Sequence, residues 1–177
     1  MDSGPEFTQR KSIRLRGYDH SLAGPYFVTI GSHNKRCLLG SLAGKHVEPS
    51  LQGKLVQTVW NSLPERFPRL VLDEYVVMPN PLHALLGFVG AGLALPAVSV
   101  GTDANDRAGS IPGEAVAAPR SYSLADVVGV FKSISTIQVN RLLKRKGTRL
   151  WQRNYYEHIV RTGEDLRKIQ PYILENR

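Results

Sequence analysis

The chain has 177 residues, a net charge of +8, 42% hydrophobic residues and one cysteine, Cys37. That is enough for one domain with a real core. It excludes an internal disulfide and a cysteine-based zinc cluster. No run of about 18 apolar residues occurs, which excludes a transmembrane helix. The basic charge is unevenly placed: residues 132–177 carry eleven Lys and Arg against four Asp and Glu, and Arg10, Lys11, Arg14 and Arg16 form a second group. Residues 88–128 between them carry two basic and four acidic residues. Basic charge at both ends suits a phosphate backbone; ordinary solvated faces would give the same count, so charge alone does not decide.

In chain order, residues 1–16 are polar and then basic, without the apolar core of a signal peptide. Residues 1–10 are expected to be a disordered leader, with 1–7 (MDSGPEF) open to reading as a cloning remnant, on a cytoplasmic protein. Residues 25–31 (PYFVTIG) are aromatic and β-branched and predict a strand; residues 37–42 are expected to pair with it. Residues 50–63 carry Leu51, Leu55, Val59 and Leu63 at four-residue spacing after Ser50, which predicts an amphipathic helix capped by Ser50 and stopped by Pro64. Residues 72–78 (LDEYVVM) and 82–89 (LHALLGFV) read as strands joined by the turn Met78-Pro-Asn-Pro81. Residues 90–121, rich in Gly, Ala, Pro and Ser, read as an irregular insertion within a single domain spanning 11–177. Residues 123–144 return to helical spacing, with Ser123 as cap, Leu124, Val127, Val128, Phe131 and Ile134 on one face, and Gly147 as the stop. Residues 155–160 predict a strand. Residues 163–176 predict a last helix with acidic residues in its first turn, as the helix dipole prefers. Pro171 is awkward inside that helix, so residues 164–170 form a separate turn or the helix kinks there. The order of elements predicts an α+β sandwich with a mainly antiparallel sheet.

The stretch with most chemistry is residues 75–86 (YVVMPNPLHALL), where a polar turn feeds an apolar strand and His83 sits near the strand start. Residues i and i+2 of a strand face the same side, so position 81 is the natural site of a partner for His83, and it holds Pro81. A lone strand histidine is more often structural than a ligand. Even so, this stretch resembles the His-hydrophobic-His strand of rolling-circle nucleases and single-tyrosine transposases, and in particular the REP-associated tyrosine transposases, which show Met-Pro-Asn-His-hydrophobic-His here. Residues 11–18 (KSIRLRGY) followed by 26–30, the Phe131-Lys-Ser-Ile134 run, residues 150–161 (LWQRNYYEHIVR) and Tyr172-Ile-Leu-Glu-Asn176 resemble further family stretches in order and spacing. The likeness spans roughly 11–176, and residues 151–158 are its most specific piece.

The resemblance implies a ferredoxin-like, His-hydrophobic-His nuclease type of sandwich. It implies a DNA transposase that nicks and rejoins single-stranded or hairpin DNA, with Tyr172 attacking a phosphodiester to give a 5′-phosphotyrosine and a free 3′ hydroxyl. It implies a divalent cation, Mg²⁺ or Mn²⁺, which polarises the scissile phosphate, held by strand histidines and by a polar side chain on the nucleophile helix. On this chain those ligands are His83 and Asn176, the latter four residues past Tyr172 and on the same helical face. Each residue also has an ordinary reading: Tyr172 as packing on an amphipathic helix, Asn176 as a C-cap, and Tyr155, Tyr156 and His158 as an aromatic strand face.

Expected DNA contacts are Arg14, Arg16, Lys132, Arg141, Lys144, Arg145, Lys146, Arg149 and Arg153, with Trp151, Tyr155 and Tyr156 as candidates to stack on unpaired bases. The family occurs as monomers and homodimers, and both remain open here. Two departures bear on activity. Pro81 has no imidazole where the family has its first histidine. The sequence also stops at Arg177, directly after the nucleophile helix, where relatives usually continue. The alternative function is therefore a catalytically inactive DNA-hairpin-binding protein on the same fold. A third reading, a basic α+β RNA-binding domain with Tyr26 and Phe27 on an open sheet face, lacks an RNA-recognition signature.

Overall fold

The structure, a computed structural model, describes residues 24–44, 46–89 and 122–176. The leader, Arg14, Arg16 and the insertion expected at 90–121 lie outside the described residues. The elements are β1 (Gly24–Gly31), β2 (Gly40–Ala43), β3 (His46–Pro49), α1 (Leu51–Asn61), α2 (Leu63–Arg66), β4 (Leu70–Val77), β5 (Pro81–Phe88), α3 (Leu124–Leu142), β6 (Tyr156–Ile159) and α4 (Gly163–Glu175). Four strands form one antiparallel sheet in the order β4-β5-β1-β6, and β2 and β3 form a separate hairpin. With the hairpin set aside, the chain runs β-α-β-β-α-β, which is the ferredoxin-like arrangement.

Strand alternation divides the apolar residues between two layers. Tyr26, Val28, Ile30, Leu82, Ala84, Leu86 and Phe88 face α1 and α3 and build the main core with Val56, Val59, Trp60, Val127 and Phe131. Tyr26 is fully buried there, which removes it from any open sheet face. The opposite face carries α4, which packs on β4 and β5 through a smaller cluster of Val76, Leu85, Val160 and Ile173. Full burial of Ile173 contributes about 1.5–3 kcal/mol, and it pins the helix beside its exposed neighbour Tyr172.

The helix ends follow their caps. Ser50 accepts from the Gly53 N–H at 3.1 Å and donates to the Leu38 carbonyl at 2.8 Å. Ser123 and Asp126 form a reciprocal capping box, which also lowers the Asp126 pKa through hydrogen bonds from Ser123. Thr162 caps α4 by accepting from the Asp165 N–H. Pro171 lies inside α4, which runs through it as one helix. Met78 N–H donates to the Pro81 carbonyl at 2.9 Å and closes the β4–β5 turn.

Three expectations are corrected. Residues 37–42 do not pair with β1: residues 40–43 pair with β3 instead, in register Gly40↔Pro49 to Ala43↔His46. The turn decides this, because Gly44 adopts φ +64°, a left-handed conformation that suits glycine and reverses the chain at once. Leu39, immediately before, is tied to Pro79 and Ser50 by backbone hydrogen bonds and is fully buried. The buried stripe of α1 is Val56, Val59 and Trp60 rather than one including Leu51, which is 69% exposed. Finally, α1 ends at Asn61, and Pro64 lies in the first turn of α2, where a missing N–H costs nothing.

Gly53 marks where α1 and the segment before β2 touch. A Cβ there would lie 2.0 Å from the Leu39 carbonyl oxygen. Alanine normally favours a helix over glycine by about 1 kcal/mol, but here overpacking should win. Gly53→Ala is expected to destabilise the fold by about 1–3 kcal/mol, read as a lowered urea midpoint with an unchanged slope.

Candidate active site

His83 and Tyr172 meet on the α4 face of the sheet. His83 lies on β5 and is 8% exposed. Its Nε2 is 3.5 Å from the Tyr172 hydroxyl, at the long limit of a hydrogen bond, and the two rings meet edge to face with centroids 5.4 Å apart. Its Nδ1 is 2.9 Å from Thr29 Oγ1. Thr29 stands directly opposite His83 on β1, and Tyr156 stands opposite Thr29 on β6. The Phe27 ring lies parallel to the imidazole with centroids 5.8 Å apart. Burial lowers the His83 pKa below its ordinary value, because desolvation disfavours the charged ring; near neutral pH the imidazole is therefore uncharged and keeps one nitrogen as an acceptor. Tyr172 is 43% exposed, although its hydroxyl and ring both approach His83.

Asn176, the other expected ligand, lies at the end of the helix that carries Tyr172. It is the C-cap of α4, and its Nδ2 donates to the Tyr172 carbonyl at 2.7 Å. Its amide thus satisfies one of the helix's last carbonyls. Among the described residues, no group of three or more His, Cys, Asp or Glu is placed to hold a metal ion. Pro81 supplies no donor, and a single neutral imidazole is a poor match for Mg²⁺, which prefers oxygen ligands and sheds water reluctantly. The residues gathered around Tyr172 therefore do not fit a tightly held divalent cation.

The expected DNA contacts separate into two kinds. Arg141, Lys144, Arg145, Lys146, Arg149 and Arg153 are exposed, on the end of α3 and the segment after it. Lys144 and Gly147 both have positive φ, which turns this segment sharply. It returns to the sheet at Leu150–Gln152: the Leu150 carbonyl accepts from the His33 N–H, and the Gln152 N–H donates to the Gly31 carbonyl. Gly31 pairs with Pro81, so the basic segment is stitched to the Pro81 end of the sheet, two residues from His83. Lys132 is used otherwise. Its ammonium donates to the carbonyls of Gln152, Arg153 and Asn154 at 3.0–3.3 Å and lies 5.2 Å from the centre of the Tyr155 ring. These bonds tie the segment to α3.

The stacking candidates sort by burial. Trp151 is buried, and its indole N–H donates to Ser135 at 2.8 Å; Tyr155 is half-buried beside Lys132; Tyr156 is 46% exposed on the same sheet face as His83. Two further residues shape the site without a clear signal of their own in the sequence. Thr29 would have been visible only through the β1–β5 register. Asn80 accepts from the Ser32 N–H at 3.1 Å and ties the Met-Pro-Asn-Pro turn to the end of β1; its signal was its place in that turn.

No protein-family model matches the chain. An uncharacterized protein of Haemophilus influenzae is 33% identical over 173 residues, covering 94% of this chain and 87% of that protein. The solved structure of a REP-associated tyrosine transposase bound to a REP hairpin matches with a TM-score of 0.55 at 16% identity, over 92% of this chain and 70% of that one. The crystal structure of a putative transposase of Deinococcus radiodurans gives a TM-score of 0.46 at 18% identity, over 93% and 97% of the two chains. The chain belongs to the same family as the Haemophilus influenzae protein, and its fold is that of the REP-associated tyrosine transposase.

Proposed function

We propose that this protein is a transposase that nicks and rejoins single-stranded or hairpin DNA, with Tyr172 as the attacking group. The observation that carries the reading is the 3.5 Å approach of the Tyr172 hydroxyl to His83 Nε2. In this chemistry the phenol oxygen attacks the phosphorus in line while its proton passes to the neutral imidazole. The bond from phosphorus to the 3′ oxygen breaks, the leaving oxygen takes a proton from solvent, and the 5′ phosphate stays on the tyrosine. Attack by a 3′ hydroxyl reverses these steps and rejoins the strand. The test is peptide mapping of a covalent adduct trapped on a labelled hairpin oligonucleotide. An adduct on Tyr172 is the expected result, and an adduct on Tyr155 or Tyr156 would identify a different attacking tyrosine.

The exposed basic residues within 141–153 support a DNA partner on the same reading. Affinity for a hairpin should fall on the order of a hundredfold as salt rises from roughly 50 to 200 mM, because each neutralised phosphate releases counterions. Replacing Lys144, Arg145 and Lys146 together with alanine should weaken binding to all sequences alike and flatten that slope. A salt-independent gel shift would remove the DNA hypothesis.

A second reading, a hairpin-binding protein without cleavage, is favoured by Pro81 and by the turn of the Asn176 amide onto the Tyr172 carbonyl. It predicts the same salt dependence with no adduct at any Mn²⁺ concentration.

A further inference from the structure

We propose that Thr29 is a positioning residue for His83, fixing the imidazole in the tautomer that turns a bare Nε2 toward Tyr172. The inference rests on the reading of Tyr172 as the attacking group. Thr29 Oγ1 lies 2.9 Å from His83 Nδ1, across the antiparallel pair in which the two residues are direct partners. A threonine side chain is stiff at χ1, so the strand pairing places this oxygen with little freedom. Phe27 lies parallel to the imidazole on the same face, with ring centroids 5.8 Å apart.

Two hydrogen-bond patterns satisfy these distances, because a hydroxyl both donates and accepts. In one, Nδ1–H donates to Thr29 and Nε2 accepts from the Tyr172 hydroxyl. In the other, Thr29 donates to Nδ1, and an Nε2–H points at the phenol oxygen. A phenol O–H is a stronger hydrogen-bond donor than an alcohol O–H, because the ring delocalises charge from its oxygen. The pattern that pairs the phenol O–H with the imidazole lone pair is therefore the favoured one, with Thr29 as acceptor. Thr29 then does for His83 what an orienting carboxylate or carbonyl does for other functional histidines: the bond at one nitrogen decides what the other can do. Without it, a neutral imidazole exchanges tautomers, and the form carrying Nε2–H cannot accept from Tyr172.

The experiment is a long-range proton–nitrogen NMR spectrum of ¹⁵N-histidine-labelled full chain at neutral pH, for the native protein, Thr29→Val and Thr29→Ser. The same three proteins are assayed for adduct formation on a hairpin oligonucleotide. The native spectrum should show His83 protonated at Nδ1 and bare at Nε2. Thr29→Ser should keep that pattern. Thr29→Val, close to isosteric but without the oxygen, should lose it and form adduct about tenfold to a hundredfold more slowly, the usual cost of removing an orienting partner from a functional histidine. A native His83 protonated at Nε2, or a valine variant that keeps the Nδ1–H form, overturns the proposal. The native and serine spectra decide it even if the valine variant does not fold. If native protein forms no adduct at all, the reading of Tyr172 has failed, and the spectra still decide the role of Thr29.

Discussion

Replacing Tyr172 with phenylalanine is expected to stop covalent joining to DNA while leaving the fold and the DNA affinity intact. The substitution removes one oxygen from a side chain that is 43% exposed. The lost contact to His83 is a single long one at 3.5 Å, so the stability change should stay within about 0.5 kcal/mol. The packing of α4 does not depend on it, because the neighbouring Ile173 supplies the buried anchor. Chemistry is another matter, since without the phenol oxygen no phosphotyrosine can form. Adduct yield should fall by roughly a thousandfold or more, as when an enzyme loses its nucleophile. The measurement is adduct formation on a labelled hairpin, with gel shift and thermal melting as controls. An adduct retained by the phenylalanine variant would show that another residue attacks, and Tyr156, exposed on the same sheet face, would be the first to replace.

Most of the fold could be read in the sequence where one local signal sufficed. The PYFVTIG strand, the Ser123 cap with its helix and the Met-Pro-Asn-Pro turn each carry their own punctuation. The pairing of residues 37–42 could not be read, because strand partners are chosen by turns and burial beyond the strand itself. The short polar strand His46–Pro49 has no alternation long enough to notice. The α1 stripe was misplaced for a similar reason: four-residue spacing picked out Leu51, whereas the core selects Val56, Val59 and Trp60. At the site, His83 and Tyr172 were legible as residue types at recognisable spacings, and the structure brings them together. The role of Lys132 was not legible, because a lysine bound to three backbone carbonyls and a lysine free for phosphate look identical in a sequence. Asn176 allows two readings in the sequence, cap and ligand, and its Nδ2 makes a capping bond to the Tyr172 carbonyl.

Replacing Pro81 with histidine is expected to create or raise both metal affinity and nicking. Positions 81 and 83 lie on β5 two residues apart, so their side chains leave the same face, with Cα atoms about 6.5–7 Å apart. Opposite position 81 stands Gly31, which has no side chain to compete for the space. The Gln152 carboxamide borders that corner: its Nε2 would lie 3.2 Å and its Oε1 3.5 Å from a Cβ built on Gly31. A second imidazole there would join His83 in the kind of nitrogen-and-oxygen site that Mn²⁺ tolerates better than Mg²⁺. The backbone should accept the change. The Pro81 carbonyl already takes the Met78 N–H, a bond that does not depend on the side chain, and histidine restores an N–H at the strand start. Mn²⁺ affinity, followed by titration of the protein alone, should rise at least about tenfold, since a direct ligand should matter no less than the orienting partners whose loss costs that much. A cation on His83 Nε2 would displace the phenol contact, so in this variant the phenol proton would pass to solvent while the cation polarises the scissile phosphate. Nicking of a labelled hairpin should still rise across a Mn²⁺ series, and Tyr172→Phe in the same background should cancel the gain. Tighter Mn²⁺ binding without nicking would mean that the cation site is rebuilt but Tyr172 is not the attacking group. If the native protein binds Mn²⁺ and cuts as well as the Pro81→His variant, position 81 is not where a ligand is missing, and the resemblance has been carried onto the wrong pair of strand positions.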